Sequence, residues 1–366
     1  MKKILVLHTS TFMGGAEYSL LELLRHWGNA QISLHIVCSS NQVLFRHINL
    51  LPVHVHDIYL PYLHRKHLFK TWMKIMKASV KLYQLVRKEK IQTTYCNTFR
   101  SLPFCFLVKW LCKPKIVCHC RDRIPSRFLH FMIRIIADEC IVVSNAIQKE
   151  LPRSSKTHII HNGVNPLLFQ KGDTSNFLID QYRLSEHTRI IGNIGQIISW
   201  KNQIDYLAVA ANLLRNHQKL HFFLVGAIVD KDYFCVLKQQ ILFWELEPYI
   251  TFTGHVENIA DYLSSFTVVL HTAHNEPFGR VLIEAAASAK PVVAYSSGGP
   301  SEIIENGKTG FLVADGDIET MAKTATMLLD NPYLQTIMGQ SARKHVAQHF
   351  NSINYARKVY QILNQD

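Results

Sequence analysis

The 366-residue sequence has no apolar run long enough to cross a bilayer. Its most apolar stretch, Leu102 to Cys112, is interrupted by Lys109 and falls short of the roughly 20 residues that a helical span needs. It has no internal repeat and no low-complexity tract, which sets aside solenoids and disordered tethers. It has no C-x-x-C pair either. Its eight cysteines lie mostly inside apolar runs, as buried thiols of a reducing compartment do, so no disulfide framework is expected. Cys112, Cys118, His119 and Cys120 lie close together, but Cys118 and Cys120 alternate with His119 along a strand pattern. Their side chains then point to opposite faces, and no metal site is expected. The opening MKKILVLHTS lacks a long hydrophobic region and a small-residue cleavage site, so a first strand is expected there rather than a signal peptide.

Acidic residues are scarce in one half only. Residues 1–180 hold 10 Asp/Glu against 25 Lys/Arg, whereas residues 181–366 hold 17 against 15. All of the excess positive charge therefore sits in the first half. A one-sided basic field points to an anionic partner, whether nucleic acid, membrane surface or acidic substrate, or else to a lysine-rich solvated surface. No helix-turn-helix or RNA-binding signature accompanies it, so nucleic acid is not an expected partner.

What is present is an ordinary globular composition, 48% hydrophobic and 18% charged, at a length suited to two domains. Short β-branched runs alternate with helical patterns in two series. The first predicts strands at 4–7, 32–37, 53–56, 92–95, 115–118, 140–143 and 158–161. The second predicts strands at 190–194, 221–225, 250–252, 268–271, 292–294 and 310–313, with helices to the end thereafter. Such alternation implies parallel sheets covered on both faces, hence two doubly wound α/β domains. The polar, turn-rich stretch 165–187 reads as the linker. The expected division is 1–168 and 169–350, with a final helix at about 351–366 able to pack back on the first domain. Ligands of such sheets bind beyond the carboxyl ends of the strands, and two facing sheets would place two ligand edges across one central cleft.

Two places carry chemistry. After the first strand, Gly14-Gly15-Ala16-Glu17 opens a helix; it reads either as an anion-facing turn or as a plain tight turn. It is not G-x-G-x-x-G, so hydride transfer loses its support. Residues 274–300 say more. A loop holding Glu276 and Pro277 leads into a helix from about Gly279 that carries Glu284. The N–H groups around Phe278–Val281 suit a diphosphate, and a carboxylate can accept from two adjacent sugar hydroxyls. The small apolar neighbours Ile283, Ala285, Ala286 and Ala287 imply a packed helix, in which an unpaired Glu284 would be costly.

Glu276 and Glu284 form an E-x7-E pair, and the sequence around them resembles glycosyltransferase family 4, retaining enzymes of the GT-B fold. The resemblance extends over most of the chain, through Gly14-Gly15-Ala16-Glu17, His161-Asn162-Gly163-Val164, Gly254-His255-Val256, Gly298-Gly299-Pro300-Ser301-Glu302 and Gly307-Lys308-Thr309-Gly310. It implies a nucleotide-diphosphate-sugar donor, a glycan or lipid-linked acceptor, and no metal or other cofactor. It implies that Glu276 holds donor-sugar hydroxyls, that Glu284 holds the donor ribose, and that the amides of Phe278, Gly279 and Arg280 line the diphosphate. It also implies that Gly15 closes over the donor, that Lys201 neutralises the leaving diphosphate, and that His119 stands near the transferred sugar. Base selectivity is expected near 254–258. One departure stands out: Gln196 occupies the place where the family has an arginine, so a neutral amide replaces a cation. Either Arg280, Arg121 or Arg123 supplies the missing charge, or the leaving group is less strongly activated. A nucleotide-sugar epimerase on the same fold is the alternative reading.

Residues 65–90 predict a helix with Lys66, Lys70, Lys74, Lys77 and Lys81 on one face and Phe69, Met73, Met76, Val80 and Tyr83 on the next. The basic face reads as a contact for anionic lipid or a lipid-linked acceptor, or as the solvated side of a packed helix. The expected location is the cytoplasm, with peripheral attachment to the inner face of the plasma membrane.

Overall fold

The computed structural model describes residues 1–10, 13–27, 32–40, 42–61, 68–151, 156–170, 176–217 and 219–365, with 68–72 as backbone only. The chain forms two units. The first comprises 1–163 together with 352–366, the second 164–351.

The first unit is built on seven parallel strands: β1 (Lys2–Leu7), β2 (Ile32–Val37), β3 (His54–His56), β4 (Thr93–Cys96), β5 (Lys115–Cys120), β6 (Glu139–Val142) and β7 (Thr157–Ile159). Their order is β3-β2-β1-β4-β5-β6-β7. The order reverses between β1 and β4, the switch point at which ligands of such sheets gather. Ile4, Leu5, Val6 and Leu7 are all fully buried, as a central strand covered on both faces requires. The helix Gly15–Trp27 covers one face, and the terminal helix Ser352–Asn364 packs beside it. Tyr355, Ala356, Val359, Ile362 and Leu363 enter the same core as Leu20, Leu24 and Trp27. Trp27 Nε1 donates to the Ala356 carbonyl at 3.1 Å, and Lys115 Nζ donates to that of Ile362 at 2.9 Å.

The second unit holds six parallel strands: β8 (Arg189–Ile194), β9 (Leu220–Val225), β10 (Ile250–Gly254), β11 (Val268–His271), β12 (Val292–Tyr295) and β13 (Phe311–Val313). They are ordered β10-β9-β8-β11-β12-β13, with the reversal between β8 and β11. Its separate core gathers Phe222, Leu224, Val268, Leu270 and Val293 with helix residues such as Leu207, Leu213, Met321 and Leu328.

Two expectations need correction. The stretch 165–187 is not a bare linker. A 3-10 turn, Pro166–Phe169, and a helix, Phe177–Tyr182, belong to the second unit, where Leu178 is fully buried. At six residues that helix is less than two turns long, too short to show a period among turn formers. The predicted helix over 65–90 runs Leu68–Glu89, and its buried stripe is Ala78, Leu82, Leu85 and Val86. Met73 and Val80, in the apolar row read beside the lysines, are exposed. The helix has more apolar residues than one stripe, and the sheet takes only one. Lys74, Lys77 and Lys81 are exposed. Lys66 and the side chain of Lys70 lie outside the described residues.

Candidate active site

At the carboxyl edge of the second sheet, β8 and β11 lie side by side. Asn193 near the end of β8 donates to the Leu270 carbonyl at 2.9 Å. The 3-10 turn Ser199–Lys201 follows β8. It is fixed to the loop after β11 by His274 N donating to Trp200 O at 3.0 Å and Thr272 Oγ1 donating to Lys201 O at 3.3 Å. Lys201 is thereby aimed at Glu276, and its Nζ donates to Glu276 Oε2 at 2.5 Å. His271, the last residue of β11, places Nε2 3.3 Å from the same oxygen. Burial by itself would raise the Glu276 carboxyl. The Lys201 ammonium and the His271 ring outweigh it and hold that carboxyl at about 2, so Glu276 is ionised at neutral pH. Burial keeps the His271 imidazole below its ordinary range despite the carboxylate beside it.

The backbone around Glu276 is set by glycines. Gly298, at φ +84°, pairs with Glu276 in an isolated parallel bridge, and Gly299 N donates to Glu276 O at 2.8 Å. A Cβ on Gly298 would meet that carbonyl at 2.3 Å, and one on Gly299 would meet the Phe278 carbonyl at the same distance. The loop and the turn after β12 are in direct backbone contact, which no side chain would permit.

Gly279, at φ +95°, is the N-cap of the helix Arg280–Ala287, and no side chain caps that terminus. The helix end thus presents backbone N–H groups and its positive dipole end beside the Glu276–Lys201 pair, an arrangement suited to an anion. Glu284 lies one turn in, 9% exposed, and accepts from Arg280 Nε at 2.7 Å. Burial has therefore found Glu284 a partner. Gln196 is half-buried, and its carbonyl accepts from Gln203 Nε2 at 2.9 Å. Lys201, Glu276, Phe278, Gly279, Arg280 and Glu284 thus share one sheet edge. His271 completes the set; a single histidine inside a strand gave no motif by which to find it.

In the first unit, Gly15 begins the helix after β1, and His119 lies near the end of β5. His119 is wholly buried, and its Nδ1 lies 2.6 Å from Tyr95 Oη. Arg121 Nη2 donates to that same phenol oxygen at 3.2 Å, which leaves the phenol proton for His119 Nδ1. His119 Nε2 would then carry the ring proton, and that atom has no partner among the described residues. Burial, reinforced by Arg121, holds the ring well below its ordinary range, hence neutral. Arg121 also donates to Tyr355 Oη at 2.8 Å, Asn162 Oδ1 at 2.6 Å and Asn97 Oδ1 at 3.1 Å. Glu17 Oε2 accepts from Gly14 N at 2.8 Å, closing the Gly14-Gly15 turn as a reach-back cap, and Glu17 Oε1 lies 3.5 Å from His8. Burial pushes Glu17 up to about 7 and His8 down to about 4. The three arginines weighed against Gln196 are all engaged within their own units: Arg121 in this cage, Arg123 with Glu150 at 2.7 Å and Arg280 with Glu284. Among the described residues no cluster suited to a metal ion occurs, and no helix is long and apolar enough to cross a membrane.

Known proteins show similarity in the same places. The family profile described as "Glycosyl transferases group 1" matches residues 175–345, and "Glycosyltransferase Family 4" matches 13–166. An N-acetyl-alpha-D-glucosaminyl L-malate synthase of Bacillus anthracis is 29% identical over 57% of this chain and 54% of its own length. The capsular polysaccharide biosynthesis glycosyltransferase CapM of Staphylococcus aureus is 23% identical over 59% and 58%. The chain thus spans about half the length of these curated relatives. Among solved structures, Anabaena HepE in complex with UDP and glucose superposes with a TM-score of 0.87 at 22% identity, over 100% of both chains. The sucrose-phosphate synthase of Thermosynechococcus elongatus does so with 0.83 at 20%, over 99% and 98%. These likenesses identify the two-sheet α/β architecture as the GT-B fold. The two profiles, which follow one another along most of the sequence, place the chain in the group 1, family 4 glycosyltransferases.

Proposed function

We propose that this protein is a retaining glycosyltransferase that moves a sugar from a nucleotide-diphosphate sugar to a glycan or lipid-linked acceptor, in the synthesis of a cell-surface polysaccharide or glycolipid. The observation that carries this reading is the buried Glu276–Lys201 pair beside an uncapped helix N-terminus. An ionised Glu276 accepts hydrogen bonds from sugar hydroxyls. The helix amides at Gly279 and Arg280 receive the diphosphate, and Glu284 the ribose. Lys201, already at the site, meets the negative charge that builds on the leaving phosphate, so this charge is stabilised by groups fixed in advance. The acceptor attacks from the leaving-group side, with the departing phosphate taking its proton. No metal has a part in this scheme. Gln196 contributes hydrogen bonds without charge, which places the burden of neutralisation on Lys201.

The relatives support the donor class: HepE was solved with UDP and glucose, and CapM is named for capsular polysaccharide synthesis. We place the enzyme in the cytoplasm, peripheral to the plasma membrane, with Lys74, Lys77 and Lys81 towards anionic lipid and no nucleic-acid partner. Product analysis tests the activity against epimerisation. A new glycoside formed from a nucleotide sugar supports transfer, whereas an altered nucleotide sugar without acceptor consumption refutes it.

A further inference from the structure

The connections β3 to β4, β4 to β5 and β5 to β6 all advance in the same direction through the first sheet. Right-handed crossovers therefore put the helices Leu68–Glu89, Phe106–Leu111 and Arg127–Ile136 on one face. The 3-10 segment Phe99–Cys105 packs between the first and the third. This layer is unusually apolar on its outer side. Phe106, Trp110, Leu111, Phe128, Phe131 and Ile135 are 38–64% exposed. On the helix 127–136, Ile133 and Ile136 face the core while Phe128, Phe131 and Ile135, spaced three and four apart, face outward. A helix apolar on both sides needs a second apolar neighbour beyond the fold's own core.

Charge identifies the neighbour. The helix 127–136 has no acidic residue, and its Arg127 and Arg134 are exposed beside the phenylalanines. Lys113 is exposed just past the helix 106–111, and Lys74, Lys77 and Lys81 are exposed on the adjoining helix. The acids close by are already matched: Asp138 pairs with Lys109 and accepts from Ile116 N at 2.8 Å, and Asp122 pairs with Arg100 at 3.0 Å. Aromatic and aliphatic side chains, among cations with no ion-pair partner among the described residues, match the boundary of an anionic bilayer, where rings sit at headgroup level and cations meet lipid phosphates.

We propose that this surface inserts into the interface of an anionic membrane, with Trp110, Phe128 and Phe131 as the inserted side chains. This deepens the peripheral-membrane part of the reading above and rests on it for its setting. It also moves the anchoring contact from the lysine face of residues 65–90 to the aromatic ridge beside it.

The test is co-sedimentation of the full chain with phosphatidylglycerol/phosphatidylcholine vesicles, with tryptophan quenching by brominated lipid. Wild type should bind, with quenching that disappears in Trp110→Phe. The double variant Phe128→Ser/Phe131→Ser should bind at least about tenfold more weakly while keeping its thermal transition. Trp110→Ser, on a different helix, should weaken binding in the same direction. Equal binding by the serine variants, or binding without Trp110 quenching, would overturn insertion and leave a purely electrostatic contact. Wild type that binds a nucleoside diphosphate but not these vesicles would overturn the surface and leave the transfer reading standing. A wild-type dimer that the serine variants convert to monomer would assign the ridge to a second copy of the chain and overturn the proposal.

Discussion

At the level of single residues, the buried carboxylates of Glu276 and Glu17 are shifted in opposite directions by their surroundings. Glu276 has its carboxyl lowered from 4.5 to about 2. A lowered folded-state value contributes stability above about 4.5 that is lost as the pH falls towards 2. Removing Lys201 leaves burial in control, so Lys201→Ala should cost about 3 kcal/mol near neutral pH. Because burial then holds the variant's Glu276 carboxyl above 4.5, that difference should begin to narrow above pH 4.5 and keep narrowing towards pH 2, which urea midpoints of both proteins at pH 7, 5 and 4 would show. Glu17 is raised from 4.5 to about 7. Its contribution is therefore fully present below about 4.5 and is lost as the pH rises through about 7. Glu17→Gln keeps an acceptor for Gly14 N but has no charge to bury. At pH 8 it should be more stable than wild type by about 1–3 kcal/mol, with little difference at pH 4.5. Paired melts at the two values check this. The role of Glu17 was not legible as chemistry; its position three residues after Gly14 was the available signal, and it is the signal of a helix cap.

At the scale of elements, backbone contact explains why the turn after β12 governs the loop that holds Glu276. Gly299→Ala would drive a Cβ into the Phe278 carbonyl, 2.3 Å away, and push that loop from its place. The expected outcome is a loss of nucleotide affinity of at least about tenfold with the fold retained, measured by titration beside circular dichroism. The terminal helix Ser352–Asn364 is the other element with a clear consequence. A chain ending at Asn351 would lose Tyr355, Val359 and Leu363 from the first core and leave Arg121 one acceptor short. Its first unit should fail to unfold cooperatively, while the second, with its own core, keeps a thermal transition. The strands were legible because a central parallel strand must be continuously apolar, and each predicted run coincides with an observed strand to within a residue or two. Less legible was which stripe of the helix 68–89 faces the sheet. With Met73 and Val80 as apolar as Leu82 and Leu85, tertiary packing made the choice. The helix 177–182 was hidden for a different reason: at six residues it is less than two turns long, too short to show a period.

At the scale of the whole molecule, the uneven charge and the position of the site fall in different units. The basic half carries the exposed lysines and the aromatic ridge, while the second unit, near neutral, holds the Glu276–Lys201–Glu284 edge. Glu276 and Glu284 could be placed on that edge from sequence because one stands in the loop after a strand pattern and the other in the helix that follows it. His271 and the Arg121–Tyr95–Tyr355 cage were out of reach, since they come together only through strand adjacency and the returning helix. Donor binding at the second unit's sheet edge, as proposed, rests on Glu284. It is tested most directly by calorimetric titration of UDP, GDP, ADP and TDP into wild type and Glu284→Ala. Selective binding of one nucleotide to wild type, weakened at least about tenfold in the variant, is the expected result. Equal binding by the two proteins, or no binding of any of the four to wild type, would contradict it.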